Sequence, residues 1–279
     1  MRTLRFIGRK ESQINRKERN FRRRNSSDCR GKLSIVGIGP GDLAHLSQKA
    51  SDAIAESKVV VGYATYIKLL GSMVTGKEVV SSGMTQEVMR AHKAIEKALE
   101  GKDVCVISSG DSGIYGMAGV ILELLKKNDI SRIEIKIIPG ITAASACASL
   151  LGAPLTRDFA VISLSDLLAD RKKIEKKLML ALKADFVIVL YNPKSKSRIK
   201  PLERAWNIIK QHRPSTTPVG IVKNAYRNNQ EVKAICLKDA AKLKDIDMAT
   251  TIIVGNSEAF IKNGYMITPR GYDLREAKP

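Results

Sequence analysis

The chain has 279 residues and a formal charge of +20, and 44 % of its residues are apolar. That apolar share supports a packed core and excludes global disorder, and the length admits one large domain or two small ones. Cys29, Cys105, Cys147 and Cys236 form no CxxC pair, and His45, His92 and His212 form no HExxH; this excludes a zinc ribbon, a disulfide scaffold and a histidine-rich metal site, and fits a reducing cytoplasm.

The charge is uneven. Residues 1–30 hold eleven Lys and Arg against three acids, a net +8, which leaves +12 on the other 249 residues. Residues 1–31 read as a basic, disordered tail, because the run from Phe21 to Ser27 has no apolar periodicity. Such a tail can touch nucleic acid electrostatically. No RNP, KH or aromatic-interleaved basic stripe accompanies it, so nucleic acid is not the expected partner. The +12 on the body points instead to an anionic small molecule. The longest uncharged stretch, Ile137 to Thr156, is broken by Pro139, Gly140, Gly152 and Pro154, so no membrane span is expected. The N-terminus has no apolar signal region.

From Lys32 the pattern becomes α/β. Leu33 to Gly37 is a short apolar strand running into a glycine turn, and Ser47 is the expected N-cap of a helix through Ser57. Val59 to Val61 is a buried strand ending at Gly62-Tyr63. Val88, Ala91, Ile95, Ala98 and Leu99 fall at helical spacing within residues 86–100, closed by Gly101. A strand over Val104 to Ile107 leads into a second glycine loop, then a helix to about Asn128. A strand over Ile133 to Ile138 and a helix from Thr142 to Leu151 complete the first half. Gly152-Ala153-Pro154-Leu155 reads as a linker. Beyond it strands are expected at 159–164, 186–191, 219–222, 231–235 and 250–254, with helices at 170–183, 198–212 and 237–244. Trp206 lies in an amphipathic helix with Leu202, Ile208 and Ile209 and reads as core, as do Cys105 and Cys147. The expectation is two α/β domains, residues 32–152 with a parallel sheet and 157–272 with a mixed sheet, a short tail at 273–279, and an active site in the cleft between the domains.

Gly37-Ile38-Gly39-Pro40-Gly41-Asp42 looks like a dinucleotide fingerprint but fails as one. Asp42 stands where the third glycine belongs, the next strand ends in Gly62-Tyr63 without a ribose-binding acid, and Pro40 removes a phosphate-cradling N–H. Neither an NAD fold nor a Rossmann-type methyltransferase is supported. In the second loop Gly110, Gly113, Gly116 and Gly119 admit close approach of backbone to a flat ligand, and Asp111 offers a carboxylate to a hydroxyl or ammonium. With no Lys or Arg in it, this loop suits a neutral or zwitterionic nucleoside better than a triphosphate.

These two loops, together with Ser108-Ser109-Gly110-Asp111, Pro139-Gly140-Ile141-Thr142-Ala143-Ala144 and Gly152-Ala153-Pro154-Leu155-Thr156, resemble the tetrapyrrole (class III) S-adenosylmethionine-dependent methylases, from about Lys32 to Tyr272. Val61 to Tyr66 and Tyr191 to Arg198 resemble the branch that methylates C17 of a corrin precursor, with ring contraction, in cobalamin biosynthesis. A sibling methylase acting at another ring carbon is the alternative, and an RNA-acting class III methylase a more distant one. Uroporphyrinogen methylases carry an acid where this chain has Gly62-Tyr63, which argues against that substrate. The resemblance implies S-adenosylmethionine between the domains, touched by Pro40, Ser109, Gly110, Asp111, Ile114, Thr142, Ala143, Tyr191, Ala225 and Thr251. It also implies a homodimer and an anionic corrinoid substrate, with or without cobalt. For ring orientation or proton transfer the candidate is Asp42, whose plain alternative is a helix-leading acid. Arg157 is the candidate partner for a substrate carboxylate, and His45 faces the macrocycle or packs the first helix.

Overall fold

The computed structural model describes residues 30–195 and 198–273. The basic tail over residues 1–29, the tail beyond Asp273, and Lys196 and Ser197 of the Tyr191–Arg198 motif lie outside the described residues. Strands β1 (Gly31–Gly37), β2 (Val59–Tyr63), β3 (Glu78–Ser82), β4 (Asp103–Ser108) and β5 (Ile133–Ile138) pair in parallel throughout, in the order β3-β2-β4-β1-β5. The inner strands β2, β4 and β1 are almost wholly buried because helices cover both faces. Leu33, Ile35, Val59, Val61, Val104 and Val106 pack under α3 (Glu87–Leu99) and α4 (Met117–Leu124), where Ala91, Ala94 and Ala98 let the helix sit close. Val36, Val60, Cys105 and Ile107 pack under α1 (Gln48–Glu56) and α2 (Ala64–Leu69) through Ala50, Ile54 and Ile67. The Ser47 hydroxyl caps α1 by accepting from the Ala50 N–H at 3.2 Å, as its position in the sequence implies.

Two differences appear here. The helix expected to reach Asn128 stops at Leu124, and a separate turn, α5 (Lys127–Ile130), follows. Strand β3 had no sequence signal, because as an exposed edge its Glu78-Val79-Val80-Ser81-Ser82 lacks a continuous apolar run.

The second half contains α6 (Ala143–Leu151), β6 (Gly152–Ala153), β7 (Phe159–Ser163), α7 (Arg171–Lys183), β8 (Val187–Tyr191), α8 (Lys200–His212), β9 (Pro218–Lys223), β10 (Glu231–Cys236), α9 (Leu237–Ala240), β11 (Thr250–Val254), β12 (Phe260–Lys262) and β13 (Tyr265–Ile267). Its main sheet runs β10-β9-β11-β8-β7, with β7 and β8 parallel and the other pairs antiparallel. This is the mixed sheet the closely spaced strands imply. Helices α7 and α8 cover one face through Leu178, Leu182, Leu202, Ile209 and Trp206, which is 6 % exposed. The other face is covered by α6, whose Ala144, Cys147, Ala148 and Leu151 meet Val187, Val189, Val222 and Ile253. So α6 follows the first sheet in sequence but is packed into the second domain. The expected linker is not free either. Gly152 and Ala153 form β6 and pair in parallel with β13, Gly152 against Met266 and Ala153 against Ile267. Gly152 makes this possible with φ +124°, which takes the chain from helix directly into the ladder.

Candidate active site

The carboxyl ends of β1, β4 and β5 lie side by side, and there the chain leaves the sheet in opposite directions. Such a switch point opens a crevice. Backbone closure at the crevice floor depends on glycine: a Cβ on Gly37 would stand 2.6 Å from the Gly140 N and 2.7 Å from the Gly110 O. Gly39 and Gly110 bridge the two loops with reciprocal hydrogen bonds, Gly39 N to Gly110 O at 3.0 Å and Gly110 N to Gly39 O at 2.7 Å.

Above this floor the second domain closes a cleft of about 190 Å³. All ten residues expected to touch the methyl donor line it: Pro40, Ser109, Gly110, Asp111, Ile114, Thr142, Ala143, Tyr191, Ala225 and Thr251. Tyr66, Tyr115, Cys147, Asn192, Asn224, Arg227 and residues 248–250 complete the lining, and sequence reasoning missed these.

Three networks hold the walls. The Tyr191 hydroxyl, at the end of β8, shares a hydrogen bond with the Thr142 hydroxyl at 2.6 Å and accepts from the Ala144 N–H at 2.6 Å. Thr142 is thus the N-cap of α6 by its backbone, while Tyr191, at the end of β8, supplies the capping oxygen. Burial raises the Tyr191 phenol above its ordinary value, so it stays protonated at neutral pH. Asp111, expected to face a ligand, spends its carboxylate on the loop. Oδ1 accepts from the Gly113 and Ile114 N–H groups at 2.8 and 3.1 Å, and Oδ2 from the Gly140 N–H at 3.0 Å. That occupies three of about four lone-pair sites and makes Asp111 chiefly a staple between the β4 and β5 loops. Third, Tyr115 (φ 54°), Asn192 (φ 52°), Asn224 (φ 52°) and Tyr226 (φ 55°) adopt left-handed backbone around the rim. Strain of this kind gathers where loops are shaped for a ligand.

The substrate candidates fare differently. Arg157 lies outside the cleft, because the chain after β13 folds over it: its Nε donates to the Pro269 carbonyl at 2.9 Å and its guanidinium pairs with Glu258 at 3.3 Å. It is not among the residues that line this cleft. Asp42 is exposed and does not line the cleft; its Oδ1 accepts from the Ala44 N–H at 2.9 Å, starting a short helical turn over Leu43–His45. This contact is the helix-leading one that was its plain alternative. His45 packs, with its ring 4.0 Å from that of Tyr226 and its Nδ1 buried without a hydrogen-bond partner among the described residues. Of the thiols, Cys105 and Cys147 are buried as expected, but Cys147 also forms cleft wall.

The motif loops and their geometry match a family as a whole: residues 32–241 fit the model of the tetrapyrrole (corrin/porphyrin) methylases. The chain belongs to this family. A Salmonella typhimurium protein named probable cobalt-factor III C(17)-methyltransferase is 46 % identical over 242 residues, covering 87 % of this chain and 100 % of that one. The cobalt-factor III methyltransferase of Priestia megaterium is 47 % identical over 249 residues, and this chain spans 46 % of its length. Among solved structures, the methyltransferase CobJ superposes with a TM-score of 0.80 at 32 % identity, covering 86 % of this chain and all of that one. As a tetrapyrrole methylase the chain is a methyltransferase, and no helix among its described residues is long and apolar enough to cross a membrane.

Proposed function

We propose that the chain transfers a methyl group from S-adenosylmethionine to C17 of cobalt-factor III, with ring contraction, in cobalamin biosynthesis. The observation that carries this is convergence: ten residues expected from separate motifs line one cleft between two sheets. The names of its relatives support C17 and the cobalt-bearing ring.

The lining suits the donor chemically. Among the described residues it offers hydroxyls and amides (Thr142, Thr251, Asn192, Asn224), apolar surface (Ile114, Cys147, Met248) and a single cation, Arg227, which suits a zwitterionic nucleoside better than a triphosphate. Bound there, S-adenosylmethionine would supply a methyl carbon on a sulfonium, open to in-line attack by a ring carbon. The protein's own part is alignment and exclusion of water. The Gly39–Gly110 bridge, the Asp111 staple and the Tyr191–Thr142 contact hold the walls at fixed separation. Tyr66 and Tyr191 remain phenols, since burial raises both, so they serve as hydrogen-bond donors and not as bases. The family likeness brings a cytoplasmic homodimer into the same proposal, and sedimentation of the purified protein should give the mass of two chains.

The test is incubation of the full chain with S-adenosylmethionine and cobalt-factor III without oxygen, followed by mass spectrometry. Addition of one methyl group, with one S-adenosylhomocysteine released per product, is expected. An unchanged corrinoid, or faster turnover of uroporphyrinogen, would overturn the reading.

A further inference from the structure

Among the described residues that line the cleft, Arg227 is the one cation. It stands on the turn after β9, in the second domain, and reaches across to the first. Its Nε donates to the Pro40 carbonyl, and its Nη2 donates to the Ser109 hydroxyl at 2.7 Å. A guanidinium has five N–H donors, so Nη1 and one Nη2 proton are left without a partner among the described residues.

The other enclosed arginines differ. Arg213 donates to the carbonyls of Leu182, Phe186 and Gly255 and pairs with Asp185 at 3.0 Å. Arg90 engages Ser82, Gly83 and Met117 with all three of its nitrogens. Arg227 has no carboxylate partner among the described residues, and loss of water around it holds its pKa below the usual arginine range. Tyr66 interacts with it electrostatically across the same lining, and the Tyr66 hydroxyl makes no hydrogen bond among the described residues. A planar fork with one unused edge, beside a free phenol, matches a carboxylate.

We propose that Arg227, with Tyr66 beside it, takes a peripheral carboxylate of the macrocycle and thereby sets which ring edge faces the donor. This rests on the corrinoid reading above. A carboxylate could also come from the donor's methionine tail, but the position favours the macrocycle. Tyr66 follows β2, three strands along the sheet from β5, beyond which Thr142 and Tyr191 close the opposite end of the cleft. Because Arg227 also grips Pro40 and Ser109, a ring held by it is fixed relative to the donor loops. Arg227 thus takes the role that sequence reasoning gave to Arg157.

The experiment compares wild type, Arg227→Met and Arg227→Lys. Calorimetry of each enzyme with S-adenosylmethionine gives the donor Kd. Steady-state methylation of cobalt-factor III at saturating donor gives its KM and kcat, and an absorbance titration gives corrinoid Kd without turnover. The Met variant should raise corrinoid KM and Kd about tenfold or more, against a much smaller rise in donor Kd from loosening the Pro40 and Ser109 loops, and Lys should recover part of the loss as a charge without the fork. A macrocycle with its carboxylates amidated should bind wild type and the Met variant equally, a result that a merely structural arginine would not give. A matching rise in donor Kd would assign the carboxylate to the donor and overturn the proposal, as would an unchanged corrinoid Kd. If wild type binds cobalt-factor III through Arg227 but does not methylate it, the C17 reading fails while the carboxylate site stands.

Discussion

Gly110 holds φ at +67°, and a Cβ placed there would sit 3.6 Å from the Ala143 N and 3.7 Å from the Thr142 Cα, both parts of the cleft wall. A β-branched side chain at that position meets left-handed strain of about 1–2 kcal/mol and projects toward the donor site. Gly110→Val should therefore abolish S-adenosylmethionine binding by calorimetry while circular dichroism still reports a folded protein; normal binding would remove Gly110 from the site. The glycine loops that line the cleft were legible because each is a contiguous motif whose residue types carry their own reason, glycine for close approach and proline for a fixed turn. Arg227 was not, because its partners, Pro40 and Ser109, are remote in sequence and nothing in Lys223-Asn224-Ala225-Tyr226-Arg227 announces a reach across domains. Arg157 shows the mirror-image case. Its charge beside the domain junction is visible in sequence, but the segment around Pro269 that covers it is not.

At the scale of elements, α6 is the joint. Its first turn takes its capping oxygen from Tyr191 of the sheet it packs on, so removing that oxygen leaves the Ala144 N–H and the Thr142 hydroxyl without this partner. Tyr191→Phe should lower unfolding free energy by about 1–3 kcal/mol in urea titration and weaken donor binding as the wall loosens. A variant unchanged in both would show that the Tyr191 hydroxyl is dispensable. Most elements could be read from period and punctuation: the apolar strands of both sheets, and α1 and α3 with their Ser47 and Gly101 ends, lie within a residue or two of expectation. Elements stabilised by pairing and not by pattern could not. Strand β3 is an exposed edge, β6 is two residues long and exists through β13, and α6 gave no hint that its apolar face belongs to the later sheet.

For the whole molecule, buried thiols packed against both sheets report its stability. Burial pushes the Cys105 thiol up to about 12 and the Cys147 thiol up to about 11, against an ordinary value of 9.0. Between about pH 9 and 11 the unfolded chain loses these protons and the folded protein keeps them, so rising pH favours unfolding. The melting temperature should fall across that window, and a Cys105→Ala/Cys147→Ala double variant should show a flatter decline; parallel curves would mean that the thiols are not responsible. The central claim is that this cleft delivers a methyl group to one carbon of a corrin precursor. The most direct test is carbon NMR of the product formed from cobalt-factor III and S-adenosylmethionine labelled with carbon-13 in its methyl group. A single enriched methyl resonance bonded to C17 is the predicted result, and label at any other ring carbon, or none, would contradict it.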